Sequence, residues 1–222
     1  MNITVYGDSI LKGVLLENGK YVVNHSWEEQ LARDYDLQIR NRSRFGCTIQ
    51  KAMAVIRRDA ETEPAPGEVA VLEFGGNDCD YDWSAISERP DGKFECKTPP
   101  DLFWEQYREA IDLLRESGRT PVVLNLPPIH SEQYLRFICR NGLSRDNILR
   151  WLGDVEAISR WQEKYSRMTE AAAGDKHVPV IDVRRFFPAA GPALRELLCA
   201  DGIHPSRSGQ GRICQAFRAA LG

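Results

Sequence analysis

The sequence predicts an α/β protein, a five-stranded parallel sheet covered by helices on both faces. Three observations carry this. Apolar runs of strand length alternate with amphipathic helical stretches, strand then helix, five times along the chain. The run Val69-Ala70-Val71-Leu72 is apolar without interruption, which suits a strand buried on both faces of a parallel sheet. The chain has 222 residues, 42% apolar and 27% charged, enough for one sizeable domain and short for two.

In chain order, Asn2 to Tyr6 is rich in β-branched and aromatic residues and reads as the first strand. Gly7-Asp8-Ser9 follows at its carboxyl end. Asn18-Gly19 between the apolar runs Val14–Leu16 and Tyr21–Val23 predicts a hairpin. It is either a wall beside Ser9 or a surface decoration. Ser26 and Glu29 have capping-box spacing, and Trp27, Leu31 and Tyr35 share one helical face. Leu37 to Asn41 is the second strand, and Ser43 to Thr48 a loop containing Gly46. Thr48 caps a helix whose buried face is Ile49, Met53 and Ile56. Pro64 to Gly67 punctuates the chain before the third strand, Glu68 to Phe74.

That strand runs into Gly75-Gly76-Asn77-Asp78, then a long polar loop from Cys79 to about Thr98 carrying Tyr81 and Trp83. Pro99-Pro100-Asp101 opens a helix with Phe103, Tyr107, Ile111 and Leu114 at helical spacing and Gly118 as its stop. Pro121 to Leu126 is the fourth strand. Residues 129–153 read as one or two short helices with more aromatic and aliphatic surface than a connection needs, Tyr134 and Trp151 included. They form either a lid or pocket wall, or an ordinary packed insertion. A helix from about Asp154 to Ala173, a fifth strand from Val178 to Val183 and a short helix from Ala193 to Cys199 follow. The turn Asp201 to Ser206 leads into a last helix ending at Leu221. No repeat or linker divides the chain, so residues 1–222 are expected to form one domain with a helical insertion at about 129–153.

Composition narrows the function. A formal net charge of −3 offers no basic surface for nucleic acid or an acidic membrane. No stretch approaches the ~20 apolar residues of a spanning helix. The first strand starts at the N-terminus and leaves no room for an export signal, so a cytoplasmic protein with reduced thiols is expected. The six cysteines are scattered without a C-x-x-C pair, which argues against a metal knuckle or redox site. No metal or cofactor is expected. A nucleotide-binding protein of similar architecture would carry G-x-G-x-x-G or a P-loop after the first strand, and neither occurs.

Ser9 lies where open α/β sheets bind their ligands, at a strand's carboxyl end. Acyl transfer by serine needs a base, a group to orient it, and donors for the oxyanion. His204 stands in a turn three residues after Asp201, close enough for the carboxyl group to reach the ring and fix its tautomer. Donors are available at the other strand ends: the backbone N–H of Ser9, that of Gly46, and the side-chain amide of Asn77. Each element also has a plain reading as a polar turn, and Asp8 is read only as a turn residue.

Taken together, Gly7-Asp8-Ser9-Ile10, Gly46, Gly75-Gly76-Asn77-Asp78 and Asp201-Gly202-Ile203-His204 resemble the four sequence blocks of the SGNH (GDSL-type) hydrolases. They fall in order from residue 7 to 204. The resemblance implies a flavodoxin-like three-layer α/β/α sandwich and hydrolysis of esters or thioesters. It implies Ser9 as nucleophile, His204 as base and Asp201 as its orienting acid, with Ser9, Gly46 and Asn77 as the oxyanion hole. Ile10 replaces the family's usual leucine, and the second block is reduced to Gly46. The chain also resembles the cytoplasmic bacterial branch of the family.

The expected function is hydrolysis of short-chain acyl esters, acetyl above all, with O-acetylated carbohydrates as one substrate class. A compact, partly polar pocket involving Tyr81 and Trp83 would suit it. The alternative enzyme is a lipid or thioester acylhydrolase, with Tyr134 and Trp151 in an acyl lid. A non-catalytic binding module on the same fold is the alternative of another class. The partner is in every case a small molecule. His25, His130 and His177 carry no assignment.

Overall fold

A computed structural model describes residues 1–222. The five sheet strands are β1 (Asn2–Gly7), β4 (Gln38–Asn41), β5 (Val69–Glu73), β6 (Thr120–Leu124) and β7 (Val180–Ile181), and all of them pair in parallel. Their spatial order is β4-β1-β5-β6-β7. The order therefore reverses between β1 and β5, and a doubly wound sheet opens its ligand crevice at the carboxyl ends of the strands flanking such a reversal.

The three-layer α/β/α architecture follows from the two-residue period of each strand. Ile3 and Val5 of β1 and Val71 of β5 face one helical layer, α1 (Ser26–Tyr35) and α9 (Arg207–Leu221), where Trp27, Leu31, Ile213 and Phe217 are buried. Tyr6, Ala70 and Leu72 face the other, α2 (Ile49–Ala60), α4 (Pro100–Glu116) and α7 (Ala157–Asp175), which bury Ile49, Met53, Ile56, Phe103, Tyr107 and Tyr165. A smaller cluster of Trp83, Ile86, Leu135, Ile148 and Ile158 lies over the carboxyl edge of the sheet. No helix is long and apolar enough to cross a membrane.

The hairpin forms as its turn demands. β2 (Val14–Glu17) and β3 (Lys20–Val23) are antiparallel around Asn18 at φ 51° and Gly19 at φ 75°, both in the left-handed region that a two-residue hairpin turn requires. Other elements depart from their expected form. The Ser26/Glu29 capping box does not form, because His25 holds the cap position and the Ser26 hydroxyl accepts from Asn24 Nδ2 at 2.8 Å instead. The loop from Cys79 to Thr98 contains a six-residue helix, α3 (Trp83–Glu88), capped by Asp82 Oδ1 accepting from the Ala85 N–H at 3.0 Å. The fifth strand shrinks to Val180–Ile181, cut off by Pro179 on one side and the short 3₁₀ helix Arg184–Phe186 on the other. The short helix near its end is α8 (Gly191–Glu196). Residues 129–153 contain two helices, α5 (Ser131–Cys139) and α6 (Arg145–Leu152).

Candidate active site

Ser9 sits in the tight turn that leaves β1, where the Lys12 and Val14 N–H groups donate to the Asp8 and Ser9 carbonyls at 3.0 Å. Its hydroxyl oxygen is 2.9 Å from His204 Nε2, and His204 Nδ1 is 2.7 Å from Asp201 Oδ2. The other Asp201 oxygen accepts the backbone N–H groups of Ile203 at 3.1 Å and His204 at 3.0 Å. Burial pushes the Asp201 carboxyl up, but the His204 ring and these two N–H groups outweigh it and hold the group below the usual carboxylate range. A buried anion at Nδ1 fixes the ring with Nε2 toward Ser9. Two aromatic rings flank the imidazole, Phe45 nearly parallel at 5.9 Å and Tyr21 edge-on at 5.3 Å. The hairpin thus contributes a wall to the site through Tyr21, as one of its two readings had it.

Three donors surround the same crevice. The N–H groups of Ser9 and Gly46 make no hydrogen bond to any protein acceptor, which leaves both available. Gly46 is at φ 68° with open space where a Cβ would stand, so the backbone conformation and not lack of room calls for glycine. Asn77 follows Gly75 (φ 137°), whose Cβ would lie 2.8 Å from Leu126 Cδ1. The Asn77 amide donates to Asp8 Oδ2 at 2.9 Å, and the Ile10 N–H donates to Asp8 Oδ1 at 2.8 Å. Asp8 is therefore more than a turn residue. It is buried and holds the Asn77 side chain.

The sequence profile of the GDSL-like lipase/acylhydrolase family matches residues 5–212. The chain belongs to that family. Its members are carboxylic ester hydrolases, and this acylhydrolase is an enzyme of the same class. No curated protein matches it in sequence. Several solved structures share its fold. A lipase/acylhydrolase from Enterococcus faecalis is 18% identical, with a TM-score of 0.65 over 99% of this chain and 94% of that one. An acetylxylan esterase from Geobacillus stearothermophilus is 16% identical, with a TM-score of 0.66 over 100% of this chain and 94% of that one. A G-D-S-L family lipolytic protein from Veillonella parvula is 16% identical, with a TM-score of 0.65 over 99% and 97%.

Beside Ser9 the acylhydrolase has a cavity of about 330 Å³. Ser9, Gly46, Asn77 and His204 line one part of it. Tyr81, Trp83, Tyr134 and Trp151 line the rest, together with Trp161, Ile129, Leu152 and Ile158. Tyr81 packs edge-to-face on Trp151 at 4.9 Å and on Trp83 at 5.8 Å. The polar tips of three of these rings are satisfied. Trp83 Nε1 and the Tyr134 hydroxyl both donate to Asp80 Oδ1 at 2.8 Å, Lys97 pairs with Asp80 Oδ2 at 2.6 Å, and Trp161 Nε1 donates to the Cys79 carbonyl at 2.9 Å. Most of the surface these residues turn toward the cavity is ring and aliphatic.

Several of these residues had no mark in the sequence. Trp161 stands four residues before Tyr165 on α7 and reads as one more apolar position on a packed helix. His130 is a helix cap: its Nδ1 accepts from the Gln133 N–H at 3.3 Å, and its own N–H donates to the Gly202 carbonyl at 2.8 Å. The 129–153 segment thereby buttresses the turn that carries Asp201 and His204. His25 occupies the position before α1 without a capping hydrogen bond, and His177 lies beyond the end of α7 at φ 51°.

Proposed function

We propose that the enzyme hydrolyses small-molecule esters with Ser9 as nucleophile, His204 as base and Asp201 as the group that orients the base. One observation carries the reading: an unbroken hydrogen-bond chain from Asp201 through His204 to Ser9 opens into an apolar cavity. His204 Nε2 takes the Ser9 proton as Oγ attacks the carbonyl carbon. The N–H groups of Ser9 and Gly46 and the Asn77 amide receive the oxyanion. His204 then protonates the departing alcohol and, in the second half-reaction, deprotonates the water that releases the acid. Phe45 and Tyr21 shield the imidazole from bulk water.

The cavity favours acyl groups longer than acetyl. The space beside Ser9 extends along Trp83, Trp151 and Trp161, ring surface on which an acyl chain can lie. The lipid or thioester alternative is therefore the better supported acyl class. A second reading keeps O-acetylated carbohydrates in play for one reason. Tyr21 and Phe45 line the same site yet are 42% and 56% exposed, and flat aromatic faces of that kind stack on sugar rings. The likeness in fold to an acetylxylan esterase is compatible with it. A p-nitrophenyl ester series from acetate to laurate, run beside acetylated sugars, separates the two. Rising kcat/KM with chain length supports the acyl-pocket reading, and a fall beyond butyrate with turnover of the sugars supports the second. A Ser9→Ala protein that turns over every ester at the parent rate would contradict both.

A further inference from the structure

The last residue of β5, Glu73, is fully buried and takes no part in the mechanism above. It pairs in register with Gly7 of β1. A Cβ at Gly7 would lie 2.9 Å from Glu73 Oε2 and 3.1 Å from Ser43 Oγ, so the glycine before Asp8 leaves room for a carboxyl group. Glu73 Oε2 accepts the Asp8 N–H at 3.3 Å, while Oε1 has no partner. The side chains of Glu73 and Asp8 are neighbours in the same buried space.

No lysine or arginine faces this pair. The ionisable groups around Glu73 are Asp8 from the turn after β1, Asp78 from the turn after β5 and Tyr107 from α4; Cys47 and Cys79 stand near Asp8 and Asp78, and His204 lies on the far side of Asp8. Two neighbouring buried carboxyls cannot both be ionised without a cation, so they share one proton. Asp8 receives the Ile10 N–H and the Asn77 amide, two donors that favour its anion. Glu73 faces the backbone N–H groups of Asp8, at 3.3 Å, and Leu11, but Oε1 is left without a partner, so the shorter bonds at Asp8 favour the anion there and leave the proton on Glu73. Burial and the neighbouring Asp8 and Asp78 charges push it in the same direction, well above the usual carboxylate range.

We propose that Glu73 is a positioning residue, held as the neutral acid, whose hydroxyl donates to the Asp8 carboxylate and so fixes the Asn77 amide that Asp8 holds. The role in turnover rests on the hydrolase reading above, but the protonation state and the amide orientation do not. Ionising Glu73 would set two anions against each other beneath Asn77 and release its side chain.

The test combines three measurements on the full chain. With carboxyl-¹³C glutamate, the infrared spectrum of the parent at neutral pH should contain a protonated-acid carbonyl band that Glu73→Gln lacks. The Asn77 side-chain amide resonances should move in Glu73→Ala and return toward the parent in Glu73→Gln. In kinetics, Glu73→Gln should keep kcat within about threefold at neutral pH and hold it further into alkali than the parent. Glu73→Ala should lose about tenfold or more in kcat at unchanged KM, short of the 10²–10³ expected for deleting an oxyanion donor outright. Absence of the band overturns the proposal even if Glu73→Gln fails to fold. So does a Glu73→Ala protein with parental Asn77 resonances. If no ester is cleaved, the hydrolase reading fails while the infrared and resonance results still decide this one.

Discussion

Asp8 Oδ2 accepts a 2.9 Å hydrogen bond from Asn77 Nδ2, and this bond ties the turn after β1 to the turn after β5 across the reversal point of the sheet. The turn that carries Ser9 and the turn that carries Asn77 are thus not placed independently. If Asn77 donates to the oxyanion, Asn77→Ala should lower kcat by about 10²–10³. Asp8→Ala should lower it by about tenfold or more at unchanged KM, because the amide stays but is no longer aimed. The double variant should be close to Asn77→Ala alone, since the two residues act as a unit. Additive losses measured in that cycle would separate Asp8 from Asn77.

On the acyl-pocket reading, the aromatic end of the cavity sets acyl preference. Burying each further methylene is worth about 0.8 kcal/mol, so kcat/KM should rise about fourfold per methylene until the cavity is full. Trp151 packs edge-to-face on Tyr81 and also contacts Phe94 at 5.9 Å. Trp151→Ala should extend that rise to longer chains while leaving acetate turnover within a few-fold of the parent. An unchanged chain-length profile would place the acyl group elsewhere.

Gly202 locks the base turn to α5. It lies at φ 75°, and a Cβ there would come within 2.6 Å of Gln133 Cβ and 2.7 Å of the Tyr134 backbone nitrogen. Gly202→Ala combines a left-handed backbone cost of about 1–2 kcal/mol with that clash. Both the melting temperature and kcat should fall. Gly142→Ala is the control, with φ 92° and nothing within 4 Å. It should lose a few degrees at most and keep its activity.

Asp78 makes stability depend on pH. Burial, with the neighbouring Asp8 charge adding to it, pushes its carboxyl from 3.8 to about 7 against the opposing hydrogen bond of the Ile49 N–H at 3.0 Å. A folded pKa above the unfolded one means the unfolded chain releases the proton first as pH rises. The contribution of this residue is full below about pH 3.8, falls by up to about 1.4 kcal/mol per unit through the interval, and levels off above about pH 7. Asp78→Asn removes that slope. Thermal unfolding should find the variant close to the parent at about pH 4 and more stable than it at about pH 8. Equal differences at both would show that Asp78 does not titrate in this range.

Much of the site was legible because its chemistry and its turn geometry demand the same residues. Ser9, Gly46, Asn77 and His204 each follow a strand or open a helix, where punctuation residues stand out against apolar runs. The sheet was legible because Val69 to Leu72 and its neighbours are apolar at strand length. What escaped depends on contacts between distant segments. Asp8 differs from an ordinary turn aspartate only through Asn77, 69 positions away. Trp161 looks like any core position until α7 is laid beside the segment that carries Cys79 and Tyr81. The helix α3 is six residues long in a stretch rich in Asp, Pro and Gly, too short for a periodic signal. The Ser26/Glu29 spacing fits a capping box, yet the helix begins one position earlier than that box requires, and Asn24 takes the serine hydroxyl.

The central claim is that Ser9 becomes acylated. Mass spectrometry of the enzyme quenched during turnover of p-nitrophenyl octanoate tests it directly. The expected result is an octanoyl adduct on the peptide containing Ser9, accumulating in a burst with p-nitrophenolate release and absent, with turnover, from Ser9→Ala. Undiminished hydrolysis by Ser9→Ala, or an adduct on another peptide with Ser9 unmodified, would contradict it.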